Sequence, residues 1–242
     1  MAYVPARLSR ICFLLTALSA LPVFQIFGQQ SYVGRFDLYG GYAYLNSPHI
    51  SLAENGFQFQ AGVRVVSWLT IGFDYSRTTG NTTITPNLLT TSLQQQLGGE
   101  LQQLIEAGVI PATYTLAVPI SSVTQTFAGG PQLSYHGWSH GTFFIRPALG
   151  DIHEAATPHV NPADPVATGI VQQLVPSGVK TDDVVFYGFG GGVDLNLTKH
   201  VALRIQADFV HDHLFSDLLK DSRNTVRIGI GPAFQFGKNV MK

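Results

Sequence analysis

A single cysteine, Cys12, is present in 242 residues, and it lies in an apolar N-terminal stretch. The mature chain is therefore expected to form no disulfide and to offer no thiolate chemistry. Cys12 follows Ser9-Arg10-Ile11 rather than small residues, which argues against a lipoprotein signal. Charge is also scarce: 14 basic and 15 acidic side chains make up 12% of the chain and cancel to −1. Such a balance offers no electrostatic footprint for nucleic acid. Beyond the N-terminus, no apolar run is long enough for a helix to cross a bilayer. Disorder is excluded as well, because 45% of the residues are apolar. No stretch reads as a linker between two cores, so one domain is expected.

At the N-terminus, Arg7 and Arg10 are followed by an apolar stretch from Ile11 to Phe24. This is the pattern of a secretory signal. Residues 1–28 are expected to be that signal, cleaved after Gly28, with a membrane anchor helix as the alternative. The segment Gln29 to Arg35 carries no basic stop-transfer flank, which favours cleavage. Residues 29–242 then form the domain.

What that domain does have is alternation. In Val201–Val210, the residues Val201, Leu203, Ile205, Ala207 and Phe209 oppose Ala202, Arg204, Gln206, Asp208 and Val210. A period of two sends these sets to opposite faces of a strand. Seven further segments divide in the same way. They centre on Phe36–Tyr44, Phe57–Val65, Leu69–Ser76, Thr126–Tyr135, Thr142–Leu149, Val185–Leu197 and Val226–Phe236.

The faces decide the class. A soluble barrel would bury the apolar set and wet the polar one. Here the polar set is mostly glycine and other small residues with isolated Asp and Arg, and it has almost no lysine or glutamate. That suits a narrow lumen, while the bulky aromatic set suits lipid. Short connections at Val66-Ser67-Trp68, His136-Gly137-Trp138 and Thr198-Lys199-His200 alternate with longer ones at 46–56, 77–122, 151–183 and 211–225. Short periplasmic turns and long outer loops follow that order. The expected fold is all-β: an eight-stranded antiparallel transmembrane β-barrel with a short amphipathic helix in a long outer loop. Trp68 and Trp138 fall at the short turns, where an aromatic girdle is expected.

Three stretches carry a family resemblance: Phe36-Asp37-Leu38-Tyr39-Gly40-Gly41-Tyr42, Gly190-Gly191-Gly192-Val193-Asp194-Leu195 and Arg227-Ile228-Gly229-Ile230-Gly231-Pro232-Ala233-Phe234-Gln235-Phe236. On these the chain resembles the small outer-membrane barrels of the OmpA, OmpX and opacity-protein type, without a peptidoglycan-binding domain. The resemblance implies a Gram-negative outer membrane, contact with its lipids and insertion by the barrel assembly machinery. It also implies an assembly signal in the last strand, matched by Gly231, Phe234 and Phe236.

The lumen set holds Asp37, Asp74, Asp194 and Asp208 against Arg64, Arg146, Arg204 and Arg227. Balanced signs in a narrow interior point to structural ion pairs and a closed lumen. Across a three-residue turn, Asp194 would stand opposite Arg204. Asp208 and Arg227 are expected near the outer end, and Asp37 and Arg64 near the periplasmic end. The alternative is a charged constriction in a narrow, porin-like pore. Pro131, Pro147 and Pro232 sit on the apolar face of strand segments, where bulges or bends are expected.

In the long loops, apolar residues at helical spacing predict a helix over 87–107, weakened by Gly98-Gly99, and a second over 165–175. Their apolar faces would either cap the barrel mouth or meet an extracellular partner through loops 77–122 and 151–183. His49, His153, His159, His211 and His213 are placed in outer loops; His211-Asp212-His213 alone is too weak a pattern for a metal site. For catalysis, His136 and Ser139-His140 come nearest, without an evident carboxylate, and no G-x-S-x-G elbow exists. The expected protein has no catalytic, cofactor or metal site. It is a monomeric barrel with a structural or surface-interaction role, and a lipid-modifying enzyme is the remote alternative.

Overall fold

Period-two alternation becomes eight antiparallel strands in the computed structural model, which describes residues 30–220 and 223–241. The expected signal, 1–28, lies outside the described residues. The strands are β1 (Gly34–Ser47), β2 (Leu52–Val66), β3 (Leu69–Ile84), β4 (Val118–Trp138), β5 (Gly141–Pro158), β6 (Lys180–Asn196), β7 (Val201–Asp212) and β8 (Arg223–Asn239). Each pairs with its neighbour in sequence, and β8 pairs with β1 to close the barrel. Closure leaves no edge with unpaired backbone groups, a requirement for a sheet surrounded by lipid. Across the closing seam, Phe236 of β8 stacks on Phe36 of β1 with ring centroids 5.4 Å apart.

The strands run further than the alternation suggests. About 9–11 residues suffice to cross a bilayer, whereas β4 has 21 and β5 has 18. The extra length extends the wall at the end that bears the long connections. There, Tyr42 hydrogen-bonds Asn55 and Tyr75 donates to Gln125 Oε1 at 3.3 Å. Beyond these tyrosines the outer face of β3 turns polar, with exposed Arg77, Thr79 and Asn81.

This lengthening corrects the loop boundaries. The connection expected to be long at 46–56 is a tight turn around the 3-10 segment Pro48–Ile50, with Ser51 in the left-handed region at φ 52°. The other outer loops shrink to 85–117, 159–179 and 213–222 because polar as well as apolar residues continue the ladders. Helix α1 (Thr91–Glu106) occupies the first of these and α2 (Pro165–Leu174) the second. Gly98 and Gly99 remain inside α1, each costing about 1 kcal/mol relative to alanine. Burial of Leu97, with Leu93 and Leu101 packed beside it, offsets that cost. Proline at the first position and Asp164 before it start α2; the Asp164 side chain accepts from the Ala167 backbone N–H at 2.9 Å.

The prolines do not produce bulges. Pro131 and Pro147 fall on the same rung of β4 and β5. Ladder pairing lapses there and resumes in unchanged register, from Gly129↔Leu149 to Leu133↔Ile145. Two residues that both lack an N–H thus share one gap instead of making two. Pro232 likewise faces Gly40, between the pairs Tyr39↔Ala233 and Tyr42↔Ile230. Register shifts occur elsewhere, between Gly34 and Phe36, Arg64 and Val66, and Tyr135 and Trp138.

Bulky and absent side chains complement each other inside the wall. A Cβ on Gly150 would lie 2.1 Å from the Phe127 carbonyl oxygen and 2.7 Å from the Phe186 ring. Gly150→Val is expected to cost about 1–3 kcal/mol of stability through overpacking. Thermal unfolding of the refolded barrel in detergent measures this.

Candidate functional site: the lumen and its capped mouth

Eight strands enclose a lumen just wide enough for side chains. Eight of the lumen-facing charges form two clusters, each with two arginines and two aspartates. In the cluster nearer the short turns, β6 and β7 pair Asp194 directly with Arg204. Arg204 binds Asp194 through Nε at 2.7 Å and Nη2 at 2.8 Å, and it reaches Asp37 at 3.1 Å. Asp37 also receives Arg64 at 3.3 Å. The Arg204 guanidinium lies 4.8 Å from the Phe144 ring centroid and 5.5 Å from that of Tyr39. Its side chain is 0% exposed.

In the second cluster, Arg146 grips Asp208 through Nε at 2.9 Å and Nη2 at 2.6 Å and contacts Asp74 at 2.9 Å. Arg227 bridges the same two carboxylates, Asp208 at 2.9 Å and Asp74 at 2.8 Å. Its Nη1 also donates to Ser76 and Thr126, each at 2.9 Å. A glutamine layer joins the clusters: Gln58 and Gln60 both donate to Asp74, while Gln60 accepts from Arg204 at 3.0 Å. Glycine makes room for this packing. A Cβ on Gly190 would sit 1.9 Å from Asp208 Oδ1.

Asp208 and Arg227 are not at the outer end of the lumen, because the walls continue past them. Ser76 and Thr126 stand two residues nearer the short turns than Thr78 and Thr124. At that further level lie Glu54 and Glu154, both buried. Glu54 Oε2 accepts from Thr78 at 2.8 Å and Glu154 Oε1 accepts from Ser122 at 2.9 Å. Sequence reasoning missed both glutamates. Glu54 fell in an expected loop and Glu154 beyond the last assigned residue of its strand, although the alternation Leu52, Glu54, Gln58 could have placed the first.

Around and above them the mouth is apolar. Ile50, Leu52, Val118, Ile152, Phe186 and Val210 from the wall pack with Leu89 and Leu97, Ile170 of α2, and Leu214, Phe215 and Leu219 of loop 213–222. Backbone hydrogen bonds tie the lid together, from Thr90 N to Leu218 O at 2.8 Å and from Lys220 N to Leu88 O at 3.1 Å. Tyr114 joins loop 85–117 to α2 by donating to Asp164 Oδ2 at 2.8 Å.

The outside of the wall is the inverse of the lumen. Phe57, Ile71, Phe73, Phe127, Phe189 and Phe209 all point outward and are exposed, and Val185 reaches 70% exposure. So large a continuous apolar belt is incompatible with water on all sides. A polar, ion-paired interior inside an apolar, closed wall has one physical setting. This is a transmembrane β-barrel. Among the described residues, no helix is long and apolar enough to cross a membrane, so the strands do the crossing.

Several solved outer-membrane barrels are similar to it in architecture. Ail, the attachment invasion locus protein of Yersinia pestis, solved with the heparin analogue sucrose octasulfate, aligns over 84% of this chain and 99% of its own. The identity is 13% and the TM-score 0.45. Neisserial surface protein A aligns over 87% of this chain and 100% of its own, at 11% identity and a TM-score of 0.47. OprG from Pseudomonas aeruginosa aligns over 87% and 99%, at 11% identity and a TM-score of 0.48. No protein-family model matches the sequence, nor does any curated protein.

The remaining residues singled out by sequence fall as follows. Trp68 is exposed at the β2–β3 turn, and Trp138 ends β4, stacked on Phe143 with centroids 5.7 Å apart. In β8, Gly231 faces the lumen while Phe234 and Phe236 face outward. His136 is not in a turn: it is buried on the lumen face of β4, with Nδ1 within 3.1 Å of Thr142 Oγ1. His153 and His211 belong to strands rather than loops, and no group of metal-ligating side chains occurs among the described residues. Ser139 and His140 contact each other at 2.9 Å on the surface. A second pair, Ser121 Oγ and His159 Nε2, meets at 2.7 Å on the outer rim. Asn81 there accepts from the serine, not from the imidazole, so the arrangement lacks the orienting contact of a nucleophile–base–acid set.

Two expectations follow from these contacts. Arg204→Met would leave Asp37 and Asp194 without their shared cation in a dry interior, at a cost of about 3–5 kcal/mol. The melting temperature in detergent should fall clearly, while Arg35→Met, at an exposed position, should barely move it. The second concerns pH. Burial and the adjacent Asp164 carboxylate push the Tyr114 hydroxyl up to about 12. The folded state thus holds this proton more tightly than the unfolded chain, so the contribution is complete below pH 10 and is lost as pH rises toward 12. A difference absorbance titration between wild type and Tyr114→Phe should isolate one tyrosine titrating near the top of that range.

Proposed function

We propose that this protein is a closed, non-conducting barrel with a structural and surface-interaction role, exercised through outer loops 85–117, 159–179 and 213–222. The observation that carries this reading is the lumen itself. Four arginines and four aspartates, cross-linked through Gln58, Gln60 and Gln206, fill it with directed bonds. A permeating solute would have to break charge pairs whose separation in a low-dielectric interior costs several kcal/mol. In this reading the eight charges act as a structural plug, and no catalytic or cofactor role is assigned.

The exterior fits the same role. Trp68 and Trp138 serve as interfacial anchors at the periplasmic side. Gly231, Phe234 and Phe236 serve as the assembly signal, recognised after export through residues 1–28. The walls that rise beyond Tyr42 and Tyr75 hold the loops clear of the lipid, where an extracellular partner could reach them. The chain acts as a monomer, since its barrel is closed by its own strands.

Planar-bilayer recording on purified protein tests the plug. The expected trace stays at the background of protein-free bilayers. Regular single-channel steps from wild type would refute the closed lumen and favour the narrow pore instead.

A further inference from the structure

Exposed charge is sorted between the two ends of the barrel. In the half that bears the long connections, the carboxylates of Glu106, Asp151, Asp183 and Asp217 are exposed. At the short-turn end, Arg35, Lys199 and Lys238 are exposed, and no exposed carboxylate accompanies them among the described residues. The aspartates nearest that end, Asp37 and Asp194, are buried in the lumen and bound to Arg64 and Arg204. The side chains of Arg35, Lys199 and Lys238 make no ion pair or hydrogen bond among the described residues.

The fold brings these cations to one stretch of the rim. A register shift lies between Gly34 and Phe36, and Arg35 and Phe36 are both exposed there. Gly237, at φ 89°, bends the end of β8. A Cβ on Gly237 would lie 3.6 Å from the Arg35 Cβ, which sets Lys238 beside Arg35. Tyr32 donates to the Gly237 carbonyl at 2.8 Å and meets the His200 ring edge-on, with centroids 4.9 Å apart. The Gln235 N–H donates to the His200 carbonyl at 2.9 Å. These contacts hold Lys199, next to His200, on the same rim. Along the wall beside it, Phe36, Phe234 and Phe236 are exposed on the lipid-facing side.

We propose that the rim formed by Arg35, Lys199 and Lys238 binds an anionic phospholipid, its phosphate among the three cations and its acyl chains along Phe36, Phe234 and Phe236. Each basic side chain near an anionic bilayer surface adds attraction, and a long one can lay its stem on apolar surface while its charge meets the headgroups. Inorganic phosphate would use the cations alone. The aromatic wall beside them favours an anion that carries its own hydrocarbon. The inference rests on the transmembrane reading of the wall and is independent of the closed lumen, so a conducting barrel would leave it standing.

The test is electron spin resonance of the full mature barrel in phosphatidylcholine bilayers, with spin-labelled phosphatidylglycerol or phosphatidylcholine as the probe. Motionally restricted lipid of either kind reports the membrane-embedded wall, and the difference between the two reports the rim. Phosphatidylglycerol should associate about fivefold more strongly, the gain from one well-placed cation. Arg35→Gln, Lys199→Gln and Lys238→Gln together should bring it down to the level of phosphatidylcholine, whereas Arg77→Gln, at the loop end, should keep the preference. Inorganic phosphate should weaken it no more than chloride does at equal ionic strength. Equal association of the two lipids with wild type would overturn the proposal. So would a preference that survives the triple substitution, is lost in Arg77→Gln or is abolished selectively by phosphate. If the triple variant fails to fold, Lys238→Gln alone should still lower the preference, and an unchanged preference would count against the rim.

Discussion

A charge inside an eight-stranded barrel has no water to turn to and no room to move, so it must be met by an opposite charge held in place. Arg204 states the constraint most sharply. It is fully buried, takes Asp194 as its cross-strand neighbour and shares Asp37 with Arg64. The same rule repeats one level further out with Arg146, Arg227, Asp74 and Asp208. Because the two clusters are linked through Gln58, Gln60 and Gln206, strands that are not adjacent in the wall are joined across the interior. The glycines opposite these side chains then become part of the constraint. A lumen filled by long polar chains from some strands needs near-empty positions on others.

At the outer end the physics changes. The walls rise past the lipid, the lumen residues turn apolar, and the opening is covered by α1, α2 and loop 213–222. Neither helix would persist alone in water at this length. Each exists because its apolar face is buried against the mouth, and the mouth stays dry because the helices cover it. At the level where this apolar cap meets the ion-paired plug, Glu54 and Glu154 accept hydrogen bonds from Thr78 and Ser122 of the barrel wall.

Much of the architecture was legible in the residues. The period of two separates Arg204 from Leu203 and Asp194 from Leu195 without any knowledge of the fold. Bulky residues on one face and small ones on the other identify which side meets lipid. Strand ends were harder, since the alternation weakens once the outer face leaves lipid and Asn55, Arg77 or Asn81 replaces an aromatic. For that reason the 46–56 connection looked long, and Glu54 was lost in it. The prolines misled for a different reason. Pro131 and Pro147 look like two defects in the sequence, and only the register shows that they share one rung.

By itself the sequence determined the barrel class, the strand count and the orientation of each face, because side-chain direction in a strand depends only on local backbone geometry. Tertiary structure alone decided which charges meet, where the wall ends and what lies over the mouth. Asp37 reaches Arg204 across 167 positions of chain, and Leu97 finds Phe215 only after the barrel has closed beneath both. Contacts of that kind depend on shear and curvature around the whole ring, which no local pattern encodes.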